Sequence, residues 1–203
     1  MSLYERQVLP HLIHLGMRQD ILRPYRDRVV RGASGHVLEI GAGSGLNLTL
    51  YEGDVERVLA LDSSPQLLTM ARRQLTQAVA IDLIEASAEA LPISDGSIDT
   101  AVTSWTLCSI ADVAAALSEV RRVLKPGGAL HFVEHGRAPD PGVRRWQDWL
   151  TPAWKRFAGG CHLNRPVRVL LEEAGFTIER MDTGYMQGPK PMTFMYEGVA
   201  RPR

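Results

Sequence analysis

Cysteine is scarce in this chain. Cys108 and Cys161 are the only two in 203 residues. A pair cannot build a disulfide framework, and this pair shows no metal-ligand spacing, so no metal site is expected. A reduced, cytoplasmic setting is the simple expectation. Long apolar runs are missing too: none reaches the roughly 18 residues needed to span a bilayer, so no transmembrane segment is expected. The opening "MSLYERQVLPHLIHLGM" is charged early and lacks a cleavage-site pattern, which argues against a signal peptide. Charge of one sign is not in excess, because 23 Lys plus Arg meet 23 Asp plus Glu. Nothing in that balance points to nucleic acid or to an acidic membrane. Internal repeats, low-complexity tracts and linkers are absent, so residues 1–203 read as a single domain.

What is present is enough apolar material for a core, 45% of the residues. Residues 1–33 read as a helical cover. Leu9, Leu12, Ile13, Gly16 and Met17 fall on one face at helical spacing, and Pro24 separates two segments. Residues 34–203 alternate short β-rich runs with helices. Strands are expected at 36–40, 57–61, 80–86, 98–104, 128–134, 176–182 and 193–200, with helices between them. One helix starts at Ser64-Pro65, with serine as cap and proline in the first turn. Another runs from Asp112 to Leu124 and stops at Lys125-Pro126-Gly127-Gly128. A third starts near Asn164-Arg165-Pro166 and ends before Gly175. Apolar strands alternating with helices imply a parallel sheet covered on both faces. The last two strands are joined by a short Gly- and Pro-rich segment with no room for a helix, so they pair antiparallel. The expected fold is α/β: a Rossmann-like seven-stranded sheet with the last strand antiparallel and helices on both faces.

The stretch "LEIGAGSGLN" places Gly41, Gly43 and Gly45 right after the first strand. In open α/β sheets the ligand binds at the carboxyl ends of the strands, where strand order reverses. Glycines there allow a tight turn and close approach of a ligand to the backbone. The dinucleotide spacing G-x-G-x-x-G is not met, and no lysine follows as in a phosphate-binding P-loop. Instead Glu39 precedes the loop. The pattern E-x-G-x-G-x-G resembles the first motif of the class I S-adenosylmethionine-dependent methyltransferases. That cofactor carries an ammonium group and no pyrophosphate, which accounts for the acid. "VLALDSS" puts Asp62 at the end of the second strand, where an acid accepts ribose hydroxyls. "EASAEALPISDGSIDTAV" resembles the family's adenine segment, with Ser87 at a position where the family more often has Asp. "EVRRVLKPGGALHFVEH" resembles its helix, Pro-Gly-Gly turn and fifth strand. The resemblance implies S-adenosyl-L-methionine as cofactor and S-adenosyl-L-homocysteine as product. It implies cofactor contacts from Glu39, Gly41, Ala42, Gly43, Asn47, Asp62, Ser63, Ser87, Ala88, Glu89, Ser104 and Trp105.

The later segments "SWTLCSIAD", "VEHG" and "RRWQDWLTPAWKRFAGGCHLNR" resemble the branch that contains the animal alkyl-thiol S-methyltransferases. The acceptor implied is a small apolar molecule, with a thiol as the leading choice. Methyl transfer from a sulfonium asks mainly for alignment and exclusion of water. A thiol acceptor reacts as thiolate, so a base helps. His135, directly after the fifth strand, is the candidate general base, against a role in fixing its loop. Glu134 beside it should face the other way. Cys108 reads as a small core residue. Residues 140–165 read as a lid over the acceptor, as an aromatic core stripe, or as a membrane-surface helix edged by Arg144, Arg145, Lys155 and Arg156. Trp105, Trp154, His162 and Arg165 are the candidate acceptor-binding residues, His162 and Arg165 against helix capping. Other readings stay open: a quinone-pathway C- or O-methyltransferase, a lipid-headgroup N-methyltransferase, a non-catalytic cofactor-binding module, and a nicotinamide dehydrogenase.

Overall fold

The computed structural model describes residues 3–75 and 78–203. Seven strands form one sheet: β1 (Gly35–Ile40), β2 (Val55–Asp62), β3 (Ala80–Glu85), β4 (Ile98–Ser104), β5 (Leu124–His135), β6 (Phe176–Tyr185) and β7 (Phe194–Pro202). Their order is β3-β2-β1-β4-β5-β7-β6. All neighbours from β3 to β5 pair parallel, and β7 runs antiparallel to both β5 and β6. The order reverses between β1 and β4, so a crevice opens above the carboxyl ends of those two strands.

Alternation along each strand splits the core in two. On β1, Leu38 and Ile40 enter one cluster and Val37 the other. The first cluster joins Leu61, Ala101, Leu130 and Phe132 to Ala116, Leu117 and Val120 of α4 (Val113–Val123) and to Val167 and Leu171 of α6 (Val167–Glu173). The second joins Val58, Ala60, Val102 and Val133 to Val29 and Val30 of α2 (Arg23–Arg31) and Ala71 of α3 (Pro65–Ala71). Both faces are therefore covered. Local signals start the helices as expected: the Ser64 hydroxyl accepts from Leu67 N at 3.3 Å and the Asp112 carboxylate from Ala115 N at 3.0 Å.

Several expectations are corrected. Residues 41–54, between β1 and β2, wind through consecutive turns (Gly45 N to Ala42 O, Leu48 N to Gly45 O) and form no α-helix. Positive φ at Gly43 and Gly45 breaks the right-handed run. The β3–β4 connection carries none either. β5 begins already at Leu124, through Lys125 to Gly128, with a register shift against β4. The link between β6 and β7 holds a single helical turn, α7 (Lys190–Thr193). In α1 (Leu9–Met17) Leu9 is buried and Ile13 and Met17 half-buried, whereas Leu12 and Gly16 face outward. Pro24 lies in the first turn of α2 rather than between segments. α5 (Pro141–Phe157) continues through Pro152. Proline removes the bond to the Asp148 carbonyl, but both residues are exposed and water can take that carbonyl. Trp146, Trp149 and Phe157 are 57%, 70% and 65% exposed, so they are no core stripe.

Candidate active site

The glycine loop leaves β1 at the crevice. Gly41 and Gly45 have φ of 70° and 82°, and a Cβ on either would strike Thr106 at 2.3 Å or Ala71 at 2.9 Å. Gly43 differs: its φ is 56°, and the nearest atom to an added Cβ is Gly41 O at 3.9 Å. The space beside Gly43 is open, as a cradle for a ligand needs. Asp62, at the end of β2, braces the loop. Its Oδ2 accepts from Gly43 N and its Oδ1 from Ser64 N, both at 2.8 Å. Burial pushes its pKa up, against the backbone N–H groups that favour the anion. Each carboxylate oxygen keeps a lone pair for a hydroxyl.

Asn47 joins three elements under the loop. Its amide donates to Glu39 Oε1 at 2.9 Å and to Ser104 Oγ at 3.0 Å, and its Oδ1 accepts from Arg26 Nη1 at 2.9 Å. Glu39 is buried, and its Oε2 has no hydrogen-bond partner among the described residues. Burial lifts its pKa to about 7, opposed by Tyr51, Asn47 and Arg26. Tyr51 is near enough to oppose that rise, yet its hydroxyl has no partner in hydrogen-bond geometry among the described residues. A buried carboxyl with one open oxygen fits an incoming ammonium group.

The N-terminal helices lie over this floor. His14 Nδ1 meets Ser44 Oγ of the loop at 2.7 Å. Arg26 also donates to Met17 O at 2.9 Å and stands 5.0 Å from the Trp105 ring. Trp105, directly after β4, has φ of 51°, a strained conformation for a tryptophan. Ser87, Ala88 and Glu89 follow β3. The Ser87 hydroxyl accepts from Glu89 N at 3.2 Å, and Glu89 Oε1 accepts from Asp112 N at 2.7 Å. Ser63, beside Asp62, is exposed.

Glu134 and His135 are both buried, because β5 lies between β4 and β7 with both faces covered. Glu134 Oε1 accepts from Thr106 N at 3.0 Å and Leu107 N at 3.1 Å, and so holds the loop after β4. His135 Nε2 lies 3.1 Å from Cys161 Sγ, and its Nδ1 is buried with no hydrogen-bond partner among the described residues. Cys108 completes a cluster: its sulfur, the Cys161 sulfur and a His135 ring nitrogen lie within 4.8 Å of one another. The neighbouring Cys108 sulfur and burial push Cys161 far up, so it rests as a thiol. Arg165 donates to the carbonyls of Leu107 and Ile110, and His162 Nδ1 faces Cys108 O at 3.1 Å. Both side chains expected to bind acceptor thus fasten the β4–α4 loop. Trp154 is half-buried, and its buried indole N–H has no hydrogen-bond partner among the described residues.

Of the side chains expected from the sequence to hold the cofactor, Asn47 contacts Glu39 and Ser104 directly, and Asp62 is tied to the same loop through Gly43 N. Sequence reasoning missed Arg26, one arginine among several in α2, and Cys161, whose partners are remote in sequence. Only the fold supplies those contacts.

A family profile described as "Methyltransferase domain" matches residues 38–132. The human thiol S-methyltransferase TMT1B is 33% identical over 174 residues, covering 82% of this chain and 69% of that protein. The chain belongs to the class I S-adenosylmethionine-dependent methyltransferases. It spans about two thirds of the length of the curated thiol S-methyltransferases it matches. A demethylmenaquinone methyltransferase from Clavibacter sepedonicus is 33% identical, over 60% of this chain and 49% of that one. The solved methyltransferase from Methanosarcina mazei superposes with a TM-score of 0.66 at 22% identity, over 91% of this chain and 97% of that one, and shares the fold. This methyltransferase uses S-adenosylmethionine, and the open oxygen of Glu39, the open side of Gly43 and the placement of Asp62 fit it. No helix among the described residues is long and apolar enough to cross a membrane.

Proposed function

We propose that this methyltransferase moves the methyl group of S-adenosylmethionine to the sulfur of a small apolar thiol. The observation that carries the reading is the sulfur- and imidazole-lined cluster after β4 and β5, where Cys108, His135 and Cys161 meet and the Cys108 thiol reaches Trp105 O at 3.4 Å. Similarity to thiol S-methyltransferases supports it. When bound, the cofactor supplies a methyl on a sulfonium, already electrophilic. Asp62 takes the ribose hydroxyls, and Glu39 faces the ammonium group. Ser87, Ala88, Glu89 and Ser63 would hold the adenosine part, Gly41, Ala42 and Gly43 would admit the cofactor to the backbone, and Ser104 and Trp105 would complete its binding site. The N-terminal helices α1 and α2 close the cradle through the His14–Ser44 and Arg26–Asn47 bonds. Residues 140–165, with Trp154, border the acceptor. His135 is assigned the activation of the acceptor thiol, together with the sulfurs that surround it. Calorimetric titration with the cofactor, then an S-adenosylhomocysteine assay over thiols, quinols, phenols and amines, tests the reading. Turnover confined to quinols or amines would replace it, and cofactor binding with no turnover would leave a non-catalytic module.

A peripheral membrane contact is a second reading, favoured by exposed Trp146, Trp149 and Phe157 beside exposed Arg145, Lys155 and Arg156. Co-sedimentation with anionic vesicles tests it, and a chain that stays in the supernatant defeats it.

A further inference from the structure

We propose that Cys108 Sγ, His135 Nε2 and Cys161 Sγ form a three-ligand site for a thiophilic divalent cation of the zinc class. The fourth position is left for the sulfur of the acceptor. That last part rests on the thiol reading above; the metal site does not.

The donor set comes first. Two thiols and one imidazole are the ligands that select zinc, and three protein ligands with one open position mark a reactive zinc centre. Spacing comes second. A tetrahedral zinc places its sulfur and nitrogen ligands about 3.5–3.8 Å apart. The three ligand atoms here lie within 4.8 Å of one another, and the His135–Cys161 pair is at 3.1 Å. Side-chain torsion changes that move these atoms by up to about 1 Å bring the set to tetrahedral spacing.

The ligands are also held. His135 is the last residue of β5. Cys108 and Cys161 sit on two loops tied to each other: His162 N donates to Cys108 O at 2.8 Å, and Arg165 donates to the carbonyls of Leu107 and Ile110. Outer bonds of this kind orient metal ligands. Access is one-sided, because Cys108 and His135 are buried while Cys161 is half-buried. Charge balances as well. Two thiolates neutralise a divalent cation, so binding adds no net charge beside buried Arg165 and Glu134.

This gives the acceptor step a source of thiolate. The acceptor S–H meets the open position and its proton passes to water. Its sulfur lone pair then forms the new S–C bond while the methyl–sulfonium bond breaks, and that electron pair leaves with S-adenosylhomocysteine as a neutral thioether.

The test reads metal before activity. The full chain is isolated under reducing conditions with zinc present, and bound zinc is measured by plasma mass spectrometry. Cobalt(II) is then substituted and its visible spectrum recorded. The proposal expects one zinc per chain and the intense bands of tetrahedral thiolate-bound cobalt. Cys108→Ser, Cys161→Ser and His135→Ala should each lower zinc affinity by about 10-fold or more, with cofactor affinity unchanged. Should a variant fold poorly, chelation of the unaltered protein should abolish thiol turnover, keep cofactor binding, and be reversed by zinc. A chain with both thiols reduced and titratable that holds no zinc, and gives only the pale spectrum of hydrated cobalt, overturns the site. A Cys108–Cys161 disulfide formed despite the reductant overturns it too. Zinc bound without turnover of any thiol would sink the acceptor reading alone, and thiol turnover without zinc would sink the metal site alone.

Discussion

Glu39→Gln separates the stability of the fold from its affinity for the cofactor. Glu39 is fully buried, and burial raises its pKa from the ordinary 4.5 to about 7. In the folded chain it holds a proton that the unfolded chain releases above pH 4.5. Stability attributable to Glu39 is therefore intact below about 4.5 and falls as pH rises to about 7. The full fall is on the order of 3 kcal/mol. Glutamine keeps the acceptor for Asn47 and has no charge to bury, so its stability curve should lack that fall. Cofactor binding should move in the opposite sense. An ammonium group beside Glu39 favours the carboxylate, so binding at pH 6 releases a proton and affinity rises with pH towards 7. Glutamine should lose about 1.5–3 kcal/mol of binding, roughly tenfold or more, and release no proton. Urea denaturation of both proteins from pH 5 to 8, and calorimetry in two buffers of different ionisation enthalpy, read these effects. Parallel stability curves, or equal proton release by both proteins, would refute the assignment of Glu39.

Asp62→Ala should weaken cofactor binding about tenfold or more, since Gly43 N and the ribose lose one shared acceptor; unchanged affinity by titration defeats that role. Gly45→Ala should destabilise the fold by more than about 1 kcal/mol, because φ is 82° and the new Cβ meets Ala71 at 2.9 Å. Its midpoint in urea should drop, and a midpoint equal to the parent's contradicts the packing. Glu134→Gln should be tolerated, because one oxygen accepts both Thr106 N and Leu107 N, whereas Glu134→Ala should cost about 1–3 kcal/mol. Similar melting of the two variants would show that the carboxyl does not hold that loop.

The sheet was legible because its strands are apolar, short and separated by clear punctuation. Ser64 and Asp112 marked helix starts, and the antiparallel end followed from a link too short for a crossover. The cradle was legible because Glu39, the glycines and Asp62 lie at the ends of adjacent strands, where position alone brings them together. The acceptor end was harder. Alternation assigned Glu134 and His135 to opposite faces, but a strand buried on both faces hides both. Helical periodicity grouped Trp146, Trp149, Trp154 and Phe157 without telling which way the group points; Trp154 is half-buried and the other three face solvent. His162 and Arg165 read as ligand-binding groups, and tertiary contacts with backbone carbonyls claim them instead. Cys108, His135 and Cys161 meet only because two loops fold over the end of β5.

The most direct measurement supplies S-adenosylmethionine carrying a deuterated methyl group, together with an equimolar mixture of an alkyl thiol, a quinol and an amine, and identifies the labelled product by mass spectrometry. The account predicts a labelled alkyl methyl thioether in step with S-adenosylhomocysteine, and no label on the quinol or the amine. Label on the quinol or amine with none on the thiol, or no product although the cofactor binds, would contradict it.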